Sequence, residues 1–188
     1  MRIEVVKLKI QPACQNLKQG NVIAYPTEAV WGLGCDPHNE AAVGKILRLK
    51  NRSVHKGLIL VGGSIDQFEP LLNKLSREQR DKLSASWPGH ITWLVPESDG
   101  LIPKWIKGGH QSVAIRVSGH PIVQELCSAF GGPIVSTSAN EAGEEEIRSR
   151  LILEDKFADK IAGIVDGDLG QSKKPSEIRD LVSGRVIR

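Results

Sequence analysis

Short apolar stretches rich in β-branched residues alternate along the chain with amphipathic, helix-like stretches, and this alternation limits the possible folds more than any other feature. The strand-like stretches lie at 22–25, 57–61, 91–95, 112–117, 133–138, 161–167 and 176–182. The helix-like stretches lie near 40–50, within 75–85 and after His120. Such alternation is typical of an α/β or α+β domain around one mixed sheet. The chain has 188 residues and no internal repeat or long linker, so we expect residues 1–188 to form a single domain.

Composition and charge exclude several classes of protein. Hydrophobic residues make up 40% of the sequence, and 25 Lys and Arg against 22 Asp and Glu give a net charge of +3, which only weakly favours anionic partners. The cysteines, Cys14, Cys35 and Cys127, form no C-x-x-C pair, which argues against a disulfide framework or a zinc knuckle and favours a reducing cytoplasm. No apolar run approaches about eighteen residues and no signal-peptide core occurs, so we expect neither a membrane nor a secreted protein.

Several familiar catalytic and binding motifs are absent. The chain has no G-x-x-x-x-G-K-[ST] phosphate loop, and Gly32-x-Gly34 is followed by Pro37 where a dinucleotide-binding fingerprint needs its third glycine. No G-x-S-x-G nucleophile elbow occurs, and the histidines lack the spacing of metal ligands. The sequence therefore predicts no structural metal site and disfavours a serine hydrolase.

A cluster of cations follows the first predicted helix. The segment KNRSVHKG at 50–57 supplies Lys50, Arg52 and Lys56, and an extended backbone would turn the first two side chains to the same side. Such a pair suits a phosphate or a carboxylate, because Arg binds two oxygens at once and Lys adds a mobile charge. The alternative is a solvated loop whose cations complement the helix dipole.

Hydroxyl and amide groups follow another predicted strand. In PIVSTSAN, at 133–140, Ser136, Ser138 and Asn140 alternate along the chain and could donate hydrogen bonds to an anion without adding charge. The alternative is that they form an N-cap for the next helix.

A buried arginine and a glycine-rich turn complete the candidate groups. Arg116 lies inside the apolar run SVAIRV and needs a carboxylate partner, from either the protein or a ligand, because an unpaired buried guanidinium is costly. In YPTEAVWGLG, we expect Gly32 and Gly34 to let the backbone approach whatever Thr27 and Glu28 frame. These residues predict a pocket rich in donors but without an obvious catalytic base.

In their order and spacing, several blocks closely resemble the YrdC/TsaC family of threonylcarbamoyl-AMP synthases: YPTEAVWGLG, KNRSVHKGLIL, WPGHITW, SVAIRVSGHP, PIVSTSAN and PSEIRD. The resemblance implies a YrdC-like domain in which a twisted mixed sheet, flanked by helices, carries a concave basic cavity. It also implies a nucleotidyltransferase that converts L-threonine, bicarbonate and ATP to threonylcarbamoyl-AMP and pyrophosphate, for modification of the adenosine beside the anticodon of tRNA.

The same resemblance implies roles for individual residues. Its K-x-R and S-x-N elements correspond to the implied catalytic set, Lys50, Arg52, Ser138 and Asn140. These residues would contact ATP, together with Lys56, Ser112 and Arg188. The residues implied to bind threonine are Thr27, Arg116, Ser136 and Ser176. Mg²⁺ would enter with ATP, and the product would pass to threonylcarbamoyl-transfer proteins, with tRNA or double-stranded RNA as a further partner.

The chain departs from the family pattern at three places. Ala29 replaces a threonine, Ser53 replaces the proline that commonly follows K-x-R, and an acidic run at 144–146 follows Ala142-Gly143. The shortage of candidate bases nevertheless suits the implied chemistry, because adenylate transfer depends mostly on alignment and charge neutralisation.

Two alternatives belong to different functional classes. An RNA-binding or ribosome-maturation factor would use the basic cavity and the tryptophans at 31, 87, 93 and 105, but a charge of +3 is small for that role and core packing is favoured for most of these rings. A carbamoyl-transfer domain of the kind found in hydrogenase-maturation proteins would be accompanied by zinc-finger and acylphosphatase regions, which this sequence lacks.

Overall fold

The structure is a computed structural model that describes residues 6–188. Nine strands form one sheet: β1 (Lys7–Leu8), β2 (Ile23–Pro26), β3 (Trp31–Gly34), β4 (Ile59–Gly62), β5 (Ile91–Pro96), β6 (Ser112–Val117), β7 (Ile134–Ser138), β8 (Ile164–Val165) and β9 (Glu177–Asp180). Their order in space is β1-β8-β2-β3-β7-β4-β6-β5-β9. The pairs β1/β8, β8/β2, β4/β6 and β5/β9 are parallel and the others antiparallel, so the expected mixed sheet is confirmed.

Seven α-helices in the described part of the chain accompany the sheet: α1 (Ile10–Lys18), α2 (Glu40–Leu49), α3 (Glu69–Leu72), α4 (Arg77–Ser86), α5 (Lys104–Lys107), α6 (Pro121–Phe130) and α7 (Arg150–Phe157). Local capping explains where three of them begin. Asn39 accepts from the Ala42 amide at the start of α2, a Ser76–Gln79 capping box starts α4, and Pro121 occupies the first turn of α6. The sequence predicted α2, α4 and α6; it did not predict the other four.

The central strands are buried on both faces, which explains their nearly continuous apolar sequence. In β2, for example, Ala24 packs in one hydrophobic cluster whereas Ile23 and Tyr25 pack in the other. Helices α1 and α6 cover this second cluster with side chains that include Leu17 and Leu126.

The face covered by α1 and α6 becomes polar further along the strands. In β7, Ile134 packs in the second cluster, and the residues that follow on the same face of the strand are Ser136 and Ser138. In β6, Val113 and Ile115 pack in the first cluster, whereas Ser112 and Arg116, on the opposite face of the strand, are polar. Polar side chains thus replace apolar ones along the same face of these strands, and they form a polar recess beside the core.

The cysteines and tryptophans are structural. Cys14, Cys35 and Cys127 are free thiols and buried, and burial raises the pKa of Cys35. Each of the four indole N–H groups donates to a protein atom, and the rings pack in or against the first hydrophobic cluster. Within residues 6–188, no helix combines the length and the apolarity needed to cross a bilayer.

Candidate active site

A cavity of about 530 Å³ opens in this polar recess, a volume within the range of small-molecule sites. Its wall contains every residue that the sequence analysis assigned to ATP or threonine: Thr27, Lys50, Arg52, Lys56, Ser112, Arg116, Ser136, Ser138, Asn140, Ser176 and Arg188. These residues come from distant parts of the chain and meet because the ends of β2, β6 and β7 lie near the end of α2 and the last residues of the chain.

The end of α2 brings Lys50 and Arg52 to the cavity, but not through the extended segment that we expected. Asn51 adopts a left-handed conformation with φ +47°, the Arg52 amide donates to Leu47 O at 2.9 Å, and the Asn51 amide donates to Arg48 O at 3.1 Å. These two bonds form a Schellman motif, which reverses the chain after a helix. The expectation of strand-like alternation was wrong because the helix ends only at Leu49 and closes with this turn.

Lys50 is buried, and all its ammonium protons point to acceptors on the turn that follows β7. Its Nζ donates to Ser138 O, to Asn140 O at 2.6 Å and to Asn140 Oδ1 at 3.3 Å. In the opposite direction, the Ala142 amide donates to Lys50 O at 2.8 Å. Burial, and then the nearby positive charge of Arg52, lower the pKa of Lys50 to about 8. Lys50 therefore joins the end of α2 to the 138–142 turn.

The S-x-N element shapes the same turn and is not a helix cap. Ser138 Oγ donates to Asn140 Oδ1, and Asn140 Nδ2 donates to Glu144 O at 2.7 Å. The next helix, α7, begins only at Arg150, so the N-cap alternative is wrong. The two side chains instead fold the 138–144 segment back onto itself at the cavity wall.

Three further cations line the cavity without a carboxylate partner among residues 6–188: Arg52, Lys56 and Arg188. Arg52 donates to Gly57 O from Nη2 at 3.0 Å, and burial together with the charge of Arg188 lowers the pKa of Arg52. Arg188 reaches the wall because the last residues are hydrogen-bonded to β9: the Ile187 amide donates to Ile178 O, and the Ile178 amide donates to Arg188 O. Because neighbouring positive charges repel each other, this end of the cavity favours a polyanion.

Arg116 occupies another part of the wall, and its partner is a protein carboxylate. Its Nη1 lies 2.8 Å from Glu28 Oε1, which also accepts from Ser118 Oγ at 2.7 Å and from the Gly119 amide at 3.0 Å. Burial alone would raise the pKa of Glu28, but the charge of Arg116 and the bond from Ser118 outweigh it and lower this pKa. Nε and Nη2 of Arg116 donate to no atom of residues 6–188, so the guanidinium is fixed in place while retaining donors for a ligand.

The β2–β3 turn has a more structural role than we expected. Thr27 Oγ1 donates to Val30 O at 2.7 Å within the turn, although Thr27 also lines the cavity. A Cβ at Gly34 would lie 2.6 Å from the Tyr25 ring and 2.8 Å from Val135 O, so Gly34 makes room for the core and not for a ligand. Of the two glycines, Gly32 lines the cavity.

The structure accounts for the departures from the family pattern. Ser53 has a φ of −64°, which also suits proline, and its hydroxyl caps the short 3₁₀ helix Val54–Lys56. Ala29 is buried at the cavity wall. The carboxylate of Glu144 is bound by Lys156, which neutralises part of the acidic run.

Wall residues that the sequence-based assignment did not include are, among others, His90, Lys107, His110 and Glu146. Lys107 binds Glu97 at 2.8 Å, and neither residue stood out in the sequence because the pair forms only in the fold. His90 lies in the WPGHITW block, so that block did contain a usable signal. Among residues 6–188, no group of three or more His, Cys, Asp or Glu side chains has the arrangement of a metal site.

Comparisons with known proteins show which family the chain resembles. A family model described as "Telomere recombination", for Sua5, YciO and YrdC proteins, matches residues 15–188. The threonylcarbamoyl-AMP synthase of Pseudomonas entomophila (strain L48) is 52% identical over 180 residues, 96% of each chain. The protein of the same name from Pseudomonas paraeruginosa (strain DSM 24068 / PA7) is 52% identical over 184 residues, 98% of each chain.

A solved structure extends the likeness to three dimensions. P. abyssi Sua5 complexed with L-threonine aligns with a TM-score of 0.84 and 32% identity, covering 91% of this chain and 50% of that one. The match of a family model over residues 15–188 and the identities above 50% lead to one conclusion: the chain belongs to the Sua5/YciO/YrdC family.

Proposed function

We propose that the protein is an L-threonylcarbamoyladenylate synthase, which forms threonylcarbamoyl-AMP and pyrophosphate from L-threonine, bicarbonate and ATP. The observation that carries this proposal is one cavity whose wall bears two kinds of cation. Arg52, Lys56 and Arg188 have no carboxylate partner among residues 6–188, and Arg116 is balanced by the carboxylate of Glu28. The first suits a triphosphate and the second the carboxylate of an amino acid. The names of the two Pseudomonas relatives support the same activity.

The proposed reaction has two steps. The threonine amine and bicarbonate form a carbamate and water, and a carbamate oxygen then attacks the α-phosphorus of ATP while pyrophosphate leaves. Arg116 would orient the amino acid through its carboxylate, with Thr27, Ser136 and Ser176 beside it on the wall. Arg52, Lys56 and Arg188 would neutralise the phosphates as charge moves to the leaving group, with Ser112 and Ser138 as neutral donors.

Lys50 and Asn140 would act mainly by shaping this surface. Each proton of the Lys50 ammonium already has a protein acceptor, so the side chain keeps the 138–142 turn in position. In this scheme no side chain must act as a strong base, because the positions of the reactants and their charges dominate the barrier.

Mg²⁺ would enter with ATP and would offset part of the negative charge of the phosphates. Glu146 is the cavity carboxylate that fits it, because Glu144 is bound by Lys156 and Glu146 makes no ion pair within residues 6–188. One protein carboxylate together with substrate phosphates and water is an ordinary environment for this ion.

The product would serve tRNA modification in the cytoplasm through proteins that transfer the threonylcarbamoyl group. No observation favours the RNA-binding alternative. All four tryptophans that could have stacked on bases pack in or against the core instead.

The proposal is tested by incubating the protein with ATP, Mg²⁺, bicarbonate and each amino acid in turn, and measuring pyrophosphate and the acyl-adenylate. We expect both products with threonine and little with alanine or valine, which lack the hydroxyl. Turnover that is independent of the amino acid, or selective for another one, would contradict the proposal.

A further inference from the structure

Residues 166–176 connect β8 to β9 without forming a helix or a strand. The connection must run from one side of the sheet to the opposite edge, because β8 is second in the strand order and β9 is last. Its final residues, Pro175 and Ser176, line the cavity. The position of this part of the wall therefore depends on how the end of the connection is held.

His90 holds this connection on both sides of Ser176. Its ring Nε2 lies 2.5 Å from Lys174 O, before Ser176, and its backbone carbonyl accepts from the Glu177 amide at 3.1 Å, after Ser176. The Ser176 hydroxyl itself lies 2.8 Å from Thr92 Oγ1, two residues along the chain from His90. Lys173 is fixed separately through its carbonyl by Arg148, but Lys174 O accepts from no other side chain of residues 6–188.

The tautomer of the ring follows from this contact. A carbonyl oxygen only accepts hydrogen bonds, so Nε2 must carry the proton. Nδ1 is buried and has no partner among residues 6–188. Because a buried nitrogen without a partner costs free energy, the favourable polar contribution of this ring comes from its bond to Lys174.

The turn that carries His90 also contacts Arg116. Gly89 O accepts from Arg116 Nη1 at 3.4 Å, and the Gly89 amide donates to Val117 O at 2.9 Å. A Cβ at Gly89 would lie 2.4 Å from Ser86 O, so the turn fits closely against the end of α4. The same short turn thus contacts both Arg116 and the segment around Ser176.

We propose that His90 is a positioning residue for the amino-acid substrate: its Nε2–H bond to Lys174 O fixes Ser176 relative to Arg116. This inference rests on the proposed function, in which these two residues bind threonine. In this role His90 acts through Lys174 and Ser176 and not on the substrate, because its Nε2 is bound to Lys174 O and its Nδ1 is buried.

Three variants test the role. His90→Phe keeps a planar ring but removes the donor, His90→Gln retains an amide donor at a similar reach, and His38→Phe makes the same exchange at an exposed histidine outside the cavity wall. One neutral hydrogen bond changes an equilibrium by about three- to tenfold, so we expect His90→Phe to raise the KM for threonine by about that factor. The KM for ATP should change by less than about twofold, and His90→Gln should recover much of the loss.

Hydrogen exchange provides a measurement that does not depend on activity. We expect amides in residues 171–177 to exchange faster in His90→Phe than in the wild type, His90→Gln or His38→Phe, while amides of β4 and β6 remain unchanged. Equal exchange in all four proteins, or equal increases in both KM values, would overturn the proposal. Absence of threonine-dependent turnover in the wild type would refute the proposed function alone, because the exchange comparison would still decide whether His90 holds the connection.

Discussion

At the scale of single residues, five cations of the cavity fall into two groups by burial. Lys50 and Arg116 are buried, whereas Arg52, Lys56 and Arg188 are more exposed and have no carboxylate partner among residues 6–188. Removing a residue of the first group leaves unpaired polar atoms in the interior, which affects folding as well as binding. Removing one of the second group relieves repulsion and should affect mainly the ligand.

Arg52→Ala tests the second group. We expect threonine-dependent pyrophosphate release to fall by about 100-fold or more, because the phosphates lose a charged donor in a partly buried site. The unfolding temperature should stay near that of the wild type. Arg48→Ala is the matched control, since Arg48 is exposed at the end of the same helix and lies outside the cavity. Turnover of Arg52→Ala equal to that of the control would show that Arg52 does not bind the phosphates.

Substitutions in the Glu28–Arg116 pair test whether the buried cations contribute to folding as well as to binding. Arg116→Met should raise the KM for threonine and also lower the free energy of unfolding by about 3–5 kcal/mol, because it leaves Glu28 buried without its cation. The double variant Glu28→Gln with Arg116→Met should be more stable than the sum of the single changes predicts. Strict additivity in a denaturant series would contradict a direct interaction between the two side chains.

Titration of Lys50 should change stability and activity in opposite directions. Its pKa is about 8 in the folded protein and about 10.5 in the unfolded chain, so the unfolded state binds more protons between these values. The contribution of Lys50 to stability should therefore rise as the pH increases from 8 to 10.5. Activity should fall as the pH rises through about 8, because the neutral amine has one donor fewer for the 138–142 turn. Lys50→Met should remove the rise in stability; an unchanged rise in that variant would assign it to another group.

At the scale of elements, the geometry of the K-x-R segment depends on how α2 ends. Two backbone bonds and one left-handed residue fix the direction of Arg52, and the two cations would point elsewhere if the helix continued by one more turn. The turn is therefore part of the binding site although it contributes no ligand-binding atom of its own.

Asn51 is the position that tests this turn. A branched side chain is strained at φ +47°, so Asn51→Val should destabilise the protein by about 1–2 kcal/mol and raise the KM for ATP through displacement of Arg52. Asn51→Gly should match the wild type, because glycine adopts this conformation freely. Thermal unfolding and ATP titration of the two variants provide the measurement. Equal behaviour of the two variants would show that the backbone conformation of Asn51 does not control the site.

At the scale of the whole molecule, the sequence predicted what depends on local pattern. Periodicity located strands such as β6 and helices such as α2, and the family resemblance assigned wall residues that the fold brings to one cavity. The sequence did not predict helices α1 and α7. In neither helix does the N-cap side chain make a capping hydrogen bond. The strand β1 has only two residues and is too short to give a periodic pattern, whereas β8 lies within the strand-like stretch 161–167.

Contacts between residues that are far apart in the chain could not be predicted from the sequence. Glu28 and Arg116 are far apart in sequence and adjacent in the fold, and only the sheet order places their strands on the same cavity. Sequence could state that Arg116 needs a carboxylate but could not choose between protein and ligand. His90 was overlooked for the same reason, since its contact with Lys174 joins the residues before β5 to those before β9, two strands that are neighbours only in the folded sheet.

The central claim is that charges and neutral donors from distant segments form one cavity for a triphosphate and an amino acid. A crystal structure with L-threonine and a non-hydrolysable ATP analogue tests it most directly. We expect phosphate oxygens within hydrogen-bond distance of Arg52, Lys56 and Arg188, and the threonine carboxylate on Arg116. Ligands bound elsewhere, or phosphates on Arg116 with these three cations empty, would contradict it.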